Sequence, residues 1–241
     1  EYLSGFGLGF STAFSVGNEA VLDIVDCLEY LGACPHTQVI ALYVEGIRRG
    51  RAFIEAARAI VPHKPIVAVY VGGSKAGKAA GFSHTGAMAG PDELYDGMFR
   101  QAGIIRARSV VELFDFCWVL GALPIPEGNR VVIQTHSGGP GAAAADACGR
   151  AGLTLSTLSE KTLEKLAPFV PSTGSVGNPV DLTFSKDHAA FYSDIPGILL
   201  AEENADILMV YLLSPQPVVE RVLKGMGIPE EAVPAQSRKI I

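Results

Sequence analysis

Two hydrophobic periods alternate along this chain. In four segments of the first half, apolar residues recur every three or four positions, which is the pattern of helices that bury one face. Between them lie short runs of apolar and β-branched residues, the pattern of strands. The predicted helices are residues 19–31, 50–61, 91–102 and 110–120, and the predicted strands are 9–16, 37–44, 66–71 and 104–105. This alternation through short connections predicts a parallel sheet covered on both faces.

The same alternation resumes after residues 123–129, whose Pro- and Gly-rich composition is typical of an interdomain linker. In the second half the predicted strands are 130–134, 153–155 and 207–213, with a short strand entered through 178–181. The predicted helices are 142–151, 161–166, 188–200 and 218–223. The sequence therefore predicts two α/β domains, residues 1–124 and 129–241.

Composition and charge exclude several classes of protein. A chain of 241 residues that is 49% apolar and 18% charged can bury a core in each domain. Its net charge of −6, with no Lys/Arg cluster, argues against a nucleic-acid surface. No apolar run approaches the roughly 20 residues that span a bilayer, so no membrane contact is expected. The cysteines lack metal-ligand spacing, which predicts reduced thiols, a cytoplasmic location and no metal site; they are Cys27, Cys34, Cys117 and Cys148.

One histidine stands among small residues in a glycine-rich loop. Ser83, His84, Thr85 and Gly86 follow the strand 66–71, whose carboxyl end is where open α/β sheets hold ligands. A histidine there can be a nucleophile, a proton carrier or a hydrogen-bonding group, and it can equally be a loop residue without chemistry. The preceding residues approach the phosphate-loop motif, but an alanine replaces its Mg²⁺-binding hydroxyl and excludes a nucleotide loop.

Glu45 stands at the carboxyl end of the strand 37–44. We expect this strand to neighbour the strand that leads into the His84 loop, which would bring the carboxylate within reach of the imidazole. A carboxylate bonded to one ring nitrogen fixes the tautomer and makes the other nitrogen the better nucleophile. The alternative is a solvated glutamate.

A second glycine cluster connects a strand to a helix in the other domain, through Ser137, Gly138, Gly139, Pro140 and Gly141. Free backbone N–H groups and the helix dipole at such a turn can bind an anion, including a phosphorylated histidine. The alternative is a tight connection without a ligand. Asp181, in the turn that follows Asn178, is interpreted as a turn cap.

Six short motifs occur in an order that resembles one enzyme family. They are VGN at 16–18, LYVEGI at 42–47, SHTGAMAG at 83–90, FRQAGI at 99–104, SGGPG at 137–141 and NPVDL at 178–182. The series is similar to the NDP-forming acyl-CoA synthetases, relatives of succinyl-CoA synthetase, from about Gly9 to about Pro215. The resemblance implies two flavodoxin-like three-layer parallel-sheet domains.

The resemblance also implies a function for each motif. His84 would be transiently phosphorylated, Glu45 would hold it, and Ser137, Gly138, Gly139 and Gly141 would form one of two helix N-termini that cradle the phosphate. Acyl-CoA and phosphate would give acyl phosphate, the phosphoryl group would pass to histidine, and phosphohistidine would phosphorylate ADP or GDP. The implied substrates are CoA, ADP/ATP or GDP/GTP with Mg, phosphate, and a small carboxylic acid or its acyl-CoA.

Two departures from the family pattern stand beside the resemblance. The family's CoA-binding and nucleotide-grasp domains are not in this sequence, and it opens without Met, so we expect a fragment that is inactive alone and an oligomeric enzyme with those domains as partners. His136 stands where relatives commonly carry Asn. The alternatives are a regulatory module, as in protein lysine acetyltransferases with related domains, and a non-catalytic scaffold. His84 together with Glu45 favours the ligase.

Overall fold

The computed structural model describes residues 9–17, 19, 21–74, 90–183, 185, 187–211 and 216–234. The chain forms two compact units, Glu1–Ile125 and Pro126–Ile241. Each contains a parallel sheet with helices packed on both faces, which confirms the predicted α/β class. Within the described residues no helix is long and apolar enough to cross a membrane.

Within the described residues of the first unit, three parallel strands pair in the order β1-β2-β3. Its elements are α1 (Ile24–Ala33), β1 (Ile40–Val44), α2 (Gly50–Ile60), β2 (Ile66–Tyr70), α3 (Asp92–Ala102), β3 (Ile105–Ala107) and α4 (Val110–Ala122).

The central strand β2 is buried on both faces, which explains why its sequence is a continuous apolar run. One face of the sheet packs against α1, α2 and α3, where Leu28, Phe53 and Phe99 are fully buried. The other face, through Val67 and Val69, packs against α4. The helix layers fix β2 from both sides and so fix the edge at which its loop leaves the sheet.

Two predictions at the start of this unit are wrong. Residues 9–16 form no strand, because Phe10 and Phe14 are exposed and this stretch makes no ladder with any described strand. The helix predicted from residue 19 begins at Ile24, because Asp23 caps it and Asp26 completes a capping box. The hydrophobic stripe in the sequence extends N-terminal of Asp23, the residue at which the cap starts the helix.

The second unit is organised around one long strand with shorter neighbours. Its elements are β4 (Arg130–Thr135), α5 (Gly138–Arg150), β5 (Thr154–Leu155), α6 (Glu160–Leu166), β6 (Val180–Asp181), α7 (His188–Tyr192), α8 (Asp194–Leu200), β7 (Ile207–Tyr211) and α9 (Gln216–Gly225). The strands β5, β6 and β7 all pair with β4 and run parallel to it. β7 pairs along its whole length, whereas β5 and β6 contact only the two ends of β4.

The side chain of Asn178 bridges the gap between β5 and β6. Its Oδ1 accepts a hydrogen bond from the N–H of Ile133 at 3.0 Å. Its Nδ2 donates to the carbonyls of Val131 and Ser156, at 2.8 and 3.0 Å. The amide thus occupies the place of a peptide group. It gives the buried N–H of Ile133 its partner and shares the Val131 carbonyl with the N–H of Ser156. The peptide bond from Asn178 to Pro179 is cis.

Two helix boundaries in this unit also differ from the prediction. The single helix predicted over 188–200 is divided at Ser193 into α7 and α8, because Pro196 has no N–H to bond Tyr192 and its ring clashes with that carbonyl. The helix predicted from residue 142 begins at Gly138, so the glycine cluster forms its first turn.

We expect Asn178→Ala to lower the free energy of unfolding by roughly 2–3 kcal/mol, because it leaves the buried N–H of Ile133 without a partner. Chemical denaturation of the variant measures this loss. Asn129→Ala is the matched control, since its side chain makes one exposed hydrogen bond, to the carbonyl of Gly152. Equal losses in the two variants would contradict the bridging role of Asn178.

Candidate functional site

The first candidate site lies at the carboxyl edge of the sheet in the first unit. β1 and β2 are parallel neighbours, with Val44 opposite Tyr70, which confirms the predicted adjacency of these strands. The N–H of Val71 donates to the carbonyl of Val44 at 2.9 Å and extends the ladder by one residue. Glu45 follows β1 directly and is exposed. Glu45 and the chain that enters the His84 loop therefore leave the sheet side by side.

The connection that carries Glu45 is tied to the start of α1 through Arg49. The Arg49 guanidinium donates to both carboxylate oxygens of Asp23 at 2.5 Å and to Asp26 at 2.8 Å. These hydrogen bonds hold the pKa of the Asp23 carboxyl well below its usual range. Glu45 itself makes no hydrogen bond or ion pair with any residue that the structure describes. The connection is anchored while its carboxylate faces solvent.

The four loop residues of the sequence analysis, Ser83, His84, Thr85 and Gly86, lie outside the described residues. The pairing of Glu45 with His84 therefore stays a prediction. What the structure adds is that the segments leading to these two residues start from adjacent strands.

The second candidate site is the first turn of α5, at the carboxyl end of β4. Ser137 is the N-cap residue, and its side chain makes no capping hydrogen bond. Gly138 and Gly139 are exposed, and their N–H groups have no acceptor among the described residues. Pro140 has no N–H, and the N–H of Gly141 donates to the carbonyl of Ser137 at 3.1 Å. Two backbone donors are thus available at the positive end of a 13-residue helix.

Two of the three glycines of this turn are closely packed, whereas a Cβ on Gly139 would meet nothing within 4 Å. A Cβ on Gly141 would lie 2.8 Å from the side chain of Thr135, and one on Gly138 would lie 3.1 Å from Oδ2 of Asp181. The carboxylate of Asp181 is therefore beside the same turn. Its Oδ1 accepts hydrogen bonds from the backbone and hydroxyl of Thr183 at 2.9 and 2.6 Å.

The sequence analysis missed the position of Asp181 relative to α5. Its interpretation as a turn residue is consistent with the bonds from Thr183, but β6 also places it next to Gly138 through its pairing with Thr135. A signal existed in the NPVDL motif, which puts the carboxylate directly after a strand residue. Only the parallel register of β4 and β6 brings it to the glycine turn.

His136 stands just before this turn, and its ring stacks on Phe191 with centroids 3.5 Å apart and an interplanar angle of 10°. The neighbouring Gln134 is fully buried and donates from Nε2 to the carbonyl of Phe191 at 2.7 Å. His136, the residue at which the sequence departs from the family pattern, thus packs against α7. Within the part of the chain that the structure describes, no group of three or more His, Cys, Asp or Glu side chains could hold a metal ion.

The fold and these two edges define a class of protein, the CoA ligases built from paired α/β domains. Residues 1–120 match the family described as the succinyl-CoA ligase like flavodoxin domain, and residues 131–212 match the Ligase-CoA domain. The chain belongs to the succinyl-CoA synthetase-like ligase superfamily, and its matches lie among the ADP-forming acyl-CoA synthetases.

Two relatives and one solved structure illustrate the similarity. The chain is 41% identical over 208 residues to the alpha subunit of acetate–CoA ligase [ADP-forming] II of Pyrococcus furiosus, covering 86% of this chain and 45% of that subunit. It is 34% identical over 201 residues to 4-hydroxybutyrate–CoA ligase [ADP-forming] of Nitrosopumilus maritimus, covering 83% and 29%. A structure of the dinucleotide forming acetyl-coenzyme A synthetase 1 of Ca. Korarchaeum cryptofilum, in complex with phosphate and ADP, superposes with a TM-score of 0.76 at 35% identity.

That alignment covers 88% of this chain and 47% of the solved chain. The chain thus spans between 29% and 47% of the length of these three proteins.

We expect inorganic phosphate to bind weakly at the first turn of α5 and to shift the amide resonances of Gly138 and Gly139, because these two N–H groups have no acceptor among the described residues. A titration followed by amide NMR measures the shifts. Asp181→Asn should tighten binding severalfold, since it removes a negative charge beside the turn. Asp146→Asn, on an exposed position of the same helix, is the matched control. An absence of shifts at millimolar phosphate would mean that the turn is only a connection.

Proposed function

We propose that this chain is part of an NDP-forming acyl-CoA synthetase that interconverts acyl-CoA, phosphate and ADP with a carboxylic acid, CoA and ATP. The observation that carries the proposal is the parallel pairing of β1 and β2, which starts the Glu45 connection and the His84 loop at one sheet edge in a chain of this superfamily. Both relatives described above are ADP-forming ligases, which favours ADP over GDP.

In the proposed cycle, phosphate attacks the acyl carbonyl of acyl-CoA and the thiolate of CoA leaves. An imidazole nitrogen of His84 then attacks the phosphorus of the acyl phosphate, the P–O bond breaks and the carboxylate leaves. The β-phosphate oxygen of ADP finally takes the phosphoryl group from histidine and frees the imidazole. Each step transfers an acyl or phosphoryl group, so catalysis rests on positioning and on stabilising charge.

The proposed roles of this chain's residues follow from that chemistry. Glu45 accepts a hydrogen bond from one imidazole nitrogen, which fixes the tautomer and stabilises the positive charge that develops on phosphorylation. Ser83, Thr85 and Gly86 support the loop. The N–H groups of Gly138 and Gly139 bind phosphate or the phosphoryl group, in a turn that Ser137 and Gly141 complete.

The remaining parts of the proposal concern binding by regions outside this sequence. We propose that the CoA nucleotide and the Mg-bound adenine nucleotide are held mainly by CoA-binding and nucleotide-grasp domains or subunits, since the matched stretch covers 45% of one relative and 29% of another. The complete enzyme is proposed to be oligomeric and cytoplasmic. The four cysteines, none in a disulfide, are consistent with a reducing compartment.

We expect the complete enzyme, meaning this stretch in its native polypeptide with any partner subunit, to form a phosphoprotein from labelled ATP. The label should be acid-labile and base-stable, as phosphoramidates on histidine are. His84→Asn should abolish it, because no imidazole remains to accept the phosphoryl group. His63→Asn, which changes a histidine in the turn after α2, is the control. Labelling of His84→Asn at the wild-type level would rule out this acceptor, whereas a wild type that acquires no label would favour a regulatory or scaffold role.

We expect Glu45→Gln to slow phosphorylation by a factor of about 100 or more, as is typical when an orienting or acid–base carboxylate is lost. The substitution keeps the shape of the side chain and removes its charge. Rapid-quench measurement of phosphoprotein formation gives the rate. Glu55→Gln, in α2 of the same unit, is the matched control. A rate equal to that of the wild type would exclude the role proposed for Glu45.

A further inference from the structure

Two glycines stand at the described ends of the segment that contains His84, and both are closely packed by α3. A Cβ on Gly73 would lie 2.7 Å from Oδ1 and 2.8 Å from Cβ of Asp92. A Cβ on Gly90 would lie 3.0 Å from the ring of Tyr95. Asp92 and Tyr95 both belong to the start of α3. Side chains at the start of α3 therefore pack against the chain at both places, just after β2 and just before α3.

The returning end of the segment is also bonded to the strand from which it started. The phenol of Tyr70, the last residue of β2, donates a hydrogen bond to the carbonyl of Gly90 at 3.0 Å. The ring of Tyr70 is buried and stacks on that of Tyr95, with centroids 3.6 Å apart and planes inclined by 12°. Burial raises the pKa of Tyr70 to about 12, so the phenol keeps its proton and remains a donor at neutral pH.

A second strand holds the same stretch from the other side. The Arg106 side chain, on β3, is 11% exposed and donates to Oδ1 of Asp92 at 2.5 Å and to Oδ1 of Asp96 at 2.9 Å. Because β2 lies between β1 and β3, two neighbouring strands fix the chain between Gly90 and Asp92. Aromatic stacking accounts for the tyrosine ring, but packing alone does not require a hydroxyl that reaches a backbone carbonyl 20 residues later.

We propose that Tyr70 is a positioning residue for phosphoryl transfer at His84, acting through its hydrogen bond to the carbonyl of Gly90. The inference rests on the proposed function. The hydroxyl fixes the point at which the chain enters α3 relative to the carboxyl end of β2. That end of β2 lies beside the end of β1, which Glu45 directly follows. An error on the order of 1 Å in such placement is enough to cost a large part of a transfer rate.

Tyr70→Phe tests this inference, because it keeps the ring stack and removes only the donor. In the complete enzyme with labelled ATP, we expect phosphoprotein to form roughly 10-fold more slowly, as for a modest loss of positioning. The ATP concentration at half-maximal rate should be unchanged, since Tyr70 does not touch the nucleotide in this proposal. Hydrogen exchange should become faster at the amides of residues 92–94, next to the released carbonyl, and stay constant in the other helices of the unit.

Tyr30→Phe is the matched control, because this tyrosine is 57% exposed on α1 and its loss of a hydroxyl should change neither measurement. A Tyr70→Phe rate equal to that of the wild type overturns the inference. So does a slower rate that accompanies faster exchange throughout the unit, since that result describes a core residue. If the wild type itself acquires no label on His84, the proposed function is wrong and the inference fails with it. The measurement on the wild type alone identifies that outcome.

Discussion

The parallel ladder between β1 and β2 is the constraint on which the first candidate site depends. Residue-by-residue register from Ile40 and Ile66 to Val44 and Tyr70 means that both strands end at the same height. Two segments separated by tens of residues in the sequence therefore start from neighbouring points. A slip of one residue would turn the buried residues of β1 toward solvent. Packing in the core therefore fixes the register and, with it, the place where β1 ends.

Side chains from the surrounding elements convert that edge into defined starting points for the loops. Arg49 ties the Glu45 connection to the capped start of α1, and Tyr70 and Arg106 tie the return of the other loop to β2 and β3. Each of these bonds joins a strand end or connection to another element. The connection that carries Glu45 is thus anchored, while the Glu45 side chain itself is exposed.

The hydrophobic pattern was sufficient to predict the strands and helices that pack against a core, because the residues that these elements bury are the ones that produce the periodic pattern. It failed at residues 9–16, where an apolar run finds no strand partner among the described residues, and at residue 19, where the cap at Asp23 determines the start of the helix. The placement of Asp181 could not be predicted from sequence, because it depends on the register of β6 against β4. Neither could the bridge made by Asn178, since a side-chain amide that replaces a peptide group leaves no periodic signal.

The proximity of Asp181 to the first turn of α5 bears on how such a turn would serve a transfer cycle. The N–H groups of Gly138 and Gly139, which have no acceptor among the described residues, and the helix dipole favour an anion, while the carboxylate beside Gly138 opposes it. A site that bound phosphate tightly in every state would stabilise the ground state as much as the transition state and would gain no rate. A carboxylate next to the donors weakens the binding of any anion there, so phosphate is held less tightly than by the helix N-terminus alone. In the proposed cycle, the proximity of the Asp181 carboxylate to Gly138 therefore suits a turn that must release phosphate as readily as it binds it.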